Sequence, residues 1–372
     1  MIYFVVMSLV ALLSPIYKRG LLLFQNISSS KVIRNQGKLI YFSLFTIILV
    51  CICGLRSIKI GLDTPQYYFL FRDVDKTGNL FKSLTEVKTE WGFVLYEYII
   101  SLFGNYYVFL FITAVITIVP VMWIIYKYSK IPWLSIVLFI LFGYFTFYMS
   151  GLRQAIAMSF CIIAFHYSNQ NKLLKYLIFI SIAFLFHQTA IIFLPIYWMK
   201  RIQLNKYVIA GTIALIGLSF VLRGIIYNLL MTFSRIDYSG AEDAGGIRMF
   251  ISMLFFIVLG FIMLEKIKKD EITRSLLYMM IIGAVLWPIL SIGRAATFRL
   301  FYYFHIFIIL YSANLAMSIK KIEYRNLVII LFLVIGVAYF VTQIVLKKLN
   351  VYPFDFFWEV PVNFNTLRHS WE

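Results

Sequence analysis

The chain has 372 residues, of which 62% are hydrophobic and 13% charged, with a formal net charge of +18. That apolar excess excludes an ordinary soluble domain. Continuous apolar runs of roughly 15 to 22 residues, each bounded by Lys or Arg, point to an all-α polytopic membrane bundle and exclude a β-barrel, whose strands would alternate apolar with polar.

Twelve apolar segments predict about twelve crossings: 1–17, 38–55, 105–126, 132–149, 152–168, 174–186, 187–199, 207–222, 248–264, 275–292, 300–319 and 327–346. The first begins at Met1 with no basic segment before it and no small-residue cleavage site, so it is expected to be retained. The stretch 174–199 admits one tilted helix or two short legs. Lys172/Lys175 and Lys200/Arg201 flank both ends, which favours two legs turning at Phe186-His187-Gln188. Residues 91–103 are apolar but too short to span, and Glu97 interrupts them. They read as a re-entrant or interfacial helix. Cys51, Cys53 and Cys161 all fall in apolar runs and are expected as free buried thiols. The whole chain reads as one integral-membrane domain, 1–372, with polar loops at 56–92 and 223–247 and an aromatic tail at 347–372.

The positive-inside rule places the Lys-rich loops in the cytoplasm, among them Lys127/Lys130, Lys266/Lys268/Lys269 and Lys320/Lys321/Arg325. Both termini are then outside. The positive charge is topological in origin and lends no support to nucleic-acid binding. On the outer side this leaves Arg56, Asp63 and Glu90 in the first large loop, Arg153 after Gly151, His187 at its turn, and Arg294 and Arg299 between two late segments. A single Arg at a helix end commonly snorkels to lipid phosphate. Four on one face, three of them beside Gly or Ala, instead suit a phosphate-binding fork. Asp63 and Glu90 each have a competing reading as helix caps, and His187 as a packed histidine. His166 and His305 read as structural. The sequence carries no phosphate-binding glycine loop, dinucleotide fingerprint, Gly-x-Ser-x-Gly elbow or metal-ligand cluster. Asp73-Val74-Asp75 has the spacing of a nucleotide-sugar metal site but falls on the outer side, where such sugars are absent.

These pieces, in order, resemble the bacterial O-antigen and exopolysaccharide polymerases of the Wzy and EpsG type. They are Arg56 with Gly61-Leu62-Asp63 and Tyr67-Tyr68, then Glu90-Trp91-Gly92-Phe93, Leu152-Arg153-Gln154-Ala155, Phe186-His187-Gln188-Thr189, the run from Arg294 to Tyr303, and the tail 353–358. The resemblance implies a GT-C-like membrane glycosyltransferase architecture in the bacterial inner membrane. It implies transfer of a growing glycan from undecaprenyl diphosphate to a new lipid-linked repeat unit, without metal or other cofactor. The partners it implies are that lipid-linked oligosaccharide, the membrane lipids and a chain-length regulator protein. Arg153, Arg294 and Arg299, with Arg56 next, are then the diphosphate ligands, because preorganised cations stabilise the charge that develops on the leaving group. His187, Asp63 and Glu90 compete for the role of general base, and Tyr67, Tyr68 and Tyr303 are candidates to face the sugar. A lipid-linked oligosaccharide flippase would want acids near the midplane, and the segments drawn above contain no Asp or Glu. A ligase that moves finished glycan to another acceptor is the enzyme alternative.

Overall fold

A computed structural model of the chain describes residues 2–15, 30–87, 89–199, 201–232, 246–293, 299–345 and 350–359, apart from the side chains of 30–35, 230–232, 246, 293 and 344–345. Among these residues every regular element is helical. In order they are α1 Ile2–Leu12, α2 Ser30–Gly54, α3 Thr64–Thr77, α4 Leu80–Glu86, α5 Trp91–Ser101, α6 Tyr106–Tyr128, α7 Pro132–Leu141, α8 Tyr144–Ser150, α9 Leu152–Asn169 and α10 Leu173–Phe186. There follow α11 Ile196–Met199, α12 Lys206–Thr232, α13 Gly246–Ile262, α14 Leu264–Ile267, α15 Glu271–Leu290, α16 Tyr302–His305, α17 Ile308–Met317 and α18 Ile322–Val345, with 3₁₀ turns at Gln188–Phe193, Ser291–Gly293 and Arg299–Phe301.

The expected twelve crossings are not present. Among the described residues six helices are long and apolar enough to cross a membrane: Gln36–Gly54, Tyr106–Tyr128, Lys206–Leu229, Glu271–Leu290, Arg299–Met317 and Ile322–Gln343. A seventh is added if α7 and α8, bent by 51°, count as one broken span. The segments read as 1–17, 174–186, 187–199 and 248–264 fold as shorter apolar helices. At 1.5 Å per residue, the 14-residue α10 reaches about 21 Å against a hydrocarbon core of about 30 Å. Helix α9 has the length, but Arg153, Gln154, His166 and Asn169 dilute its hydropathy. The error has a physical source: hydropathy does not separate a helix that faces lipid from one that faces protein. Helix α7, buried except for the half-buried Trp133, is packed by α1, α17 and α18, whereas only 11% of the Lys206–Leu229 span is buried. The GT-C-like architecture that the resemblance implied is not supported either: the described residues form an all-α bundle with six, or up to seven, apolar spans.

The polar stretch 56–92, expected as a loop, is mostly helical. Pro65 in the first turn starts α3, Gly78 in the left-handed region ends it, and the Asn79 side chain caps α4. Helix α5 spans 11 residues and is too short to cross, as the sequence indicates. The described part of the aromatic tail is tied to the body of the chain. Ser57 N donates to Asp355 O at 2.9 Å and Phe357 N to Leu55 O at 3.0 Å, so the segment 350–359 pairs with the chain just after α2. Cys53 and Cys161 are buried free thiols and Cys51 is half-buried.

The bundle has two polar ends. Helices α6 and α9 run parallel, since Tyr128 Oη meets His166 Nδ1 at 2.6 Å while their N-termini lie together at the opposite end. At the His166 end, Lys127 Nζ lies 3.2 Å from His166 Nε2, Lys130 pairs with Asp270, and Asn314 ties the α6–α7 turn by accepting from Lys130 N at 2.9 Å and donating to Tyr128 O at 3.0 Å. The 174–199 stretch reverses at His187. Tyr176 Oη donates to Phe193 O at 2.5 Å and Tyr197 Oη to Asn171 O at 3.0 Å, which fixes the two legs side by side. That reversal delivers His187 to the end where α9 begins.

Candidate active site

The floor of this end is the turn after α2. Gly61 holds a φ of +97°, and a Cβ there would collide with the Met149 carbonyl, so only glycine fits. Arg56 is buried beneath it. Its Nε donates to Ile60 O at 3.3 Å, its Nη2 to Met149 O at 2.9 Å, and its Nη1 to Cys53 O. The guanidinium is therefore spent on backbone carbonyls, locking the two Gly-Leu-Arg turns (54–56 and 151–153) against each other. It is placed to hold the floor and not to face a ligand.

Above the floor, Gly92 in the first turn of α5 touches the Leu185 carbonyl, which a Cβ would approach to 2.7 Å. That close contact sets the start of α5 beside the end of α10 and brings Glu90 to His187. Glu90 Oε1 lies 2.8 Å from His187 Nδ1, and Glu90 Oε2 accepts from Arg153 Nη1 at 2.6 Å and from Thr89 Oγ1 at 3.0 Å. Arg153 Nη1 also donates to Thr89 Oγ1 at 2.5 Å. The Glu90 side chain makes no helix-cap hydrogen bond; it is used entirely in this network. Burial opposes its charge, but the hydrogen bond from His187 and the charge of Arg153 outweigh that and hold the carboxyl well below the usual carboxylate range. An ionised Glu90 can only accept, so neutral His187 carries its proton on Nδ1 and turns an unprotonated Nε2 outward.

A second pair stands beside the first. Arg299 Nη1 donates to Asp63 Oδ2 at 2.8 Å, the Asp63 backbone N–H donates to Ser150 Oγ at 3.2 Å, and Gln154 Nε2 donates to Arg299 O at 2.5 Å. Asp63 makes no side-chain cap on α3. One turn of α9 thus supplies Arg153 to the first pair and Gln154 to the second. Arg294 lies outside the described residues, as does most of the 223–247 loop.

The three tyrosines separate. Tyr67 is buried, with the Arg153 guanidinium 5.9 Å over its ring and Phe93 at 5.5 Å. Tyr303 is buried and accepts from Thr189 Oγ1 at 3.3 Å. Tyr68 is half-buried, edge-on to Tyr106 at 5.3 Å. The sequence reading passed over Thr89 and Gln154, neither of which belongs to a residue class that draws notice alone. It also left Glu97 without a role. Glu97 is fully buried, neither carboxylate oxygen has a hydrogen-bond partner, and burial raises the carboxyl well above the usual range, with Arg153 offsetting only part. A carboxylate inside a short apolar helix was the available signal. Among the described residues, no three His, Cys, Asp or Glu gather as a metal site would require.

The arrangement thus offers an oriented imidazole, two guanidinium groups held in place by carboxylates, and a hydroxyl bridging the first network. Residues 39–356 match the EpsG family. The chain belongs to the EpsG family. No curated protein and no solved structure matches it. EpsG-family membership suggests a polysaccharide polymerase of the Wzy type, embedded as a multi-pass membrane protein, and every described member of the candidate site falls inside the matched residues.

Proposed function

We propose that the protein lengthens a surface polysaccharide, such as O-antigen, by moving the growing glycan from undecaprenyl diphosphate onto the sugar hydroxyl of a new lipid-linked repeat unit. The observation that carries this reading is the Glu90–His187 hydrogen bond set next to two clamped arginines at one end of the bundle. The opposite end holds Lys127, Lys130, Lys172 and Lys268, and the positive-inside rule assigns such an end to the cytoplasm. The candidate site then lies at the outer face of the inner membrane, where lipid-linked repeat units are the glycosyl donors.

The chemistry follows from the groups present. Nε2 of His187 takes the proton of the acceptor hydroxyl as its oxygen attacks the anomeric carbon. Glu90 fixes the tautomer through Nδ1 and stabilises the imidazolium that results, as a carboxylate does in other oriented histidines. The bond from the anomeric carbon to the diphosphate oxygen breaks, and its electron pair leaves with the diphosphate. Arg153 and Arg299, with Arg294 from the same segment, meet that growing negative charge. Arg56 serves the floor. Tyr68, the most exposed of the three tyrosines, is the one able to meet a sugar face.

The test is the glycan ladder of a strain lacking the gene, read beside extension of purified lipid-linked repeat units by the purified protein. Single repeat units on the surface with no long ladder support the polymerase. Loss of all surface units, with lipid-linked units trapped inside, would mean a flippase; long polymer left on its lipid carrier would mean a ligase.

A further inference from the structure

A cavity of about 330 Å³ opens at the other end of the bundle, between α1, α2, α7, α17 and α18. Lys130 and Arg325 supply its charge, Asn326, Ser14 and Tyr41 its further polar side chains, and Trp133 and Ile329 part of its apolar wall. Among the described residues no carboxylate lines it. Asp270 engages Lys130 from outside the cavity and is itself held by Thr273 at 2.6 Å; among the described residues Lys130 Nζ has no other acceptor, so two of its three N–H bonds are to spare. Among the described residues the Arg325 guanidinium donates only to the Met317 thioether, at 3.9 Å, a weak acceptor. Glu323 is exposed nearby and does not line the space. Two cationic residues lining one concave space, with no carboxylate among its described lining residues, suit a phosphate anion.

The apolar part of the site decides what carries that phosphate. Ile322 and Ile329 continue from the cavity wall onto the outer surface of α18, where Leu327, Ile330, Leu331 and Val334 are exposed. The Ile322–Gln343 span is only 22% buried, so this surface faces hydrocarbon. A free phosphate would use the cations and leave the apolar groove without a partner. We infer that this cavity binds the phosphate headgroup of an anionic membrane lipid, with Arg325 and Lys130 on the phosphate and an acyl chain laid along Ile329 and the outer face of α18. The site is at the opposite end of the molecule from the Glu90–His187 pair, and it does not depend on the reaction proposed there.

The experiment uses the full chain, purified in detergent and titrated with phosphatidylglycerol or phosphatidylcholine, with retained lipid counted by native mass spectrometry. Phosphatidylglycerol should be retained in preference to phosphatidylcholine. Arg325→Gln should weaken that retention about five- to tenfold, the effect of one cation at a phosphate, and Arg325→Lys should recover part of it. Lys321→Gln, which removes an exposed neighbouring charge outside the cavity, should leave retention unchanged. Equal losses in Arg325→Gln and Lys321→Gln would mean diffuse attraction to a basic surface and would overturn the site. So would equal retention of the two lipids by the wild type. Displacement of phosphatidylglycerol by millimolar inorganic phosphate or glycerol phosphate would mean a soluble-phosphate site and would equally overturn the lipid assignment. Thermal unfolding of the unmodified protein in each lipid gives a reading independent of the variants: a higher midpoint with phosphatidylglycerol is expected, and no difference counts against the site.

Discussion

Replacing Glu90 by Gln tests the proposed chemistry most directly. The substitution keeps the shape of the side chain and removes its charge. The amide oxygen can still meet His187 Nδ1, but the side chain no longer selects the Nδ1–H tautomer or stabilises the imidazolium. Loss of the orienting carboxylate in a histidine-based site costs up to about 10⁴ in rate, so a fall of about 10² to 10⁴ is expected. The substitution also strands Arg153. Its side chain is 28% exposed and that of Glu90 is 8% exposed, so the pair lies between a surface bridge and a buried one. A stability loss of about 1–3 kcal/mol follows. The two effects are separated by adding Arg153→Gln, which removes the stranded charge; the double variant should regain much of the lost stability and none of the lost activity. The assay is extension of purified lipid-linked repeat units at matched protein amounts, beside thermal unfolding in detergent. Wild-type extension by Glu90→Gln, with an unchanged pH profile, would show that Glu90 only holds the fold and that His187 needs no partner to act.

Arg153→Lys and Arg299→Lys should each insert normally yet lose about 10² to 10³ in polymerisation, because Lys keeps the charge and loses the planar fork; normal ladders from both would make these arginines helix anchors. Single cysteines near Asp63 and His187 should react with an impermeant thiol reagent from outside, and cysteines near Lys172, Lys268 and Lys321 should not. Glu90, held below the usual carboxylate range, contributes stability that is present above about pH 4.3 and lost as pH falls through its lower folded value. Glu97 acts with the opposite sign: its carboxyl keeps a proton that the unfolded chain releases, so stability declines as pH rises above about 4.3. Glu97→Gln should flatten that decline in a thermal-unfolding series, and an unchanged slope would mean that Glu97 is ionised and paired.

The sequence made the residues of the candidate site easier to pick out than the fold that gathers them. Arg153, His187, Asp63, Glu90 and Arg299 stand out because charged residues are rare in an apolar chain, and the two-sided distribution of Lys placed them together. The partners were not readable. Glu90 and His187 are far apart in sequence and meet only because Gly92 lets α5 approach the Leu185 carbonyl, a contact with no local signature. Arg56 shows the converse. It has the residue type and neighbours of a ligand-binding arginine, yet its donors go to the carbonyls of Cys53, Ile60 and Met149. The crossing count failed because an apolar run does not fix the length of the helix it forms: Ile2–Leu12, Leu173–Phe186, Gln188–Met199 and Ile247–Ile262 are apolar yet shorter than a span requires.

The charge balance of the site also explains why a third arginine belongs to the proposal. Asp63 and Glu90 each neutralise one guanidinium, so the four paired residues sum to zero before any substrate arrives. The carboxylates keep both forks in place, which lowers the reorganisation needed when an anion lands beside them. A diphosphate entering a neutral site would nevertheless bring negative charge with no net cation to receive it. Arg294, in the segment that leads into Arg299, is the cation that would tip the balance. On this reading Arg294→Gln should raise KM for the lipid diphosphate and slow turnover together. Arg299→Gln should in addition destabilise the fold, because it leaves Asp63 unpaired at a half-buried position. A ladder unaffected by Arg294→Gln would mean that the two paired arginines suffice, and that one of them must release its carboxylate when the diphosphate binds.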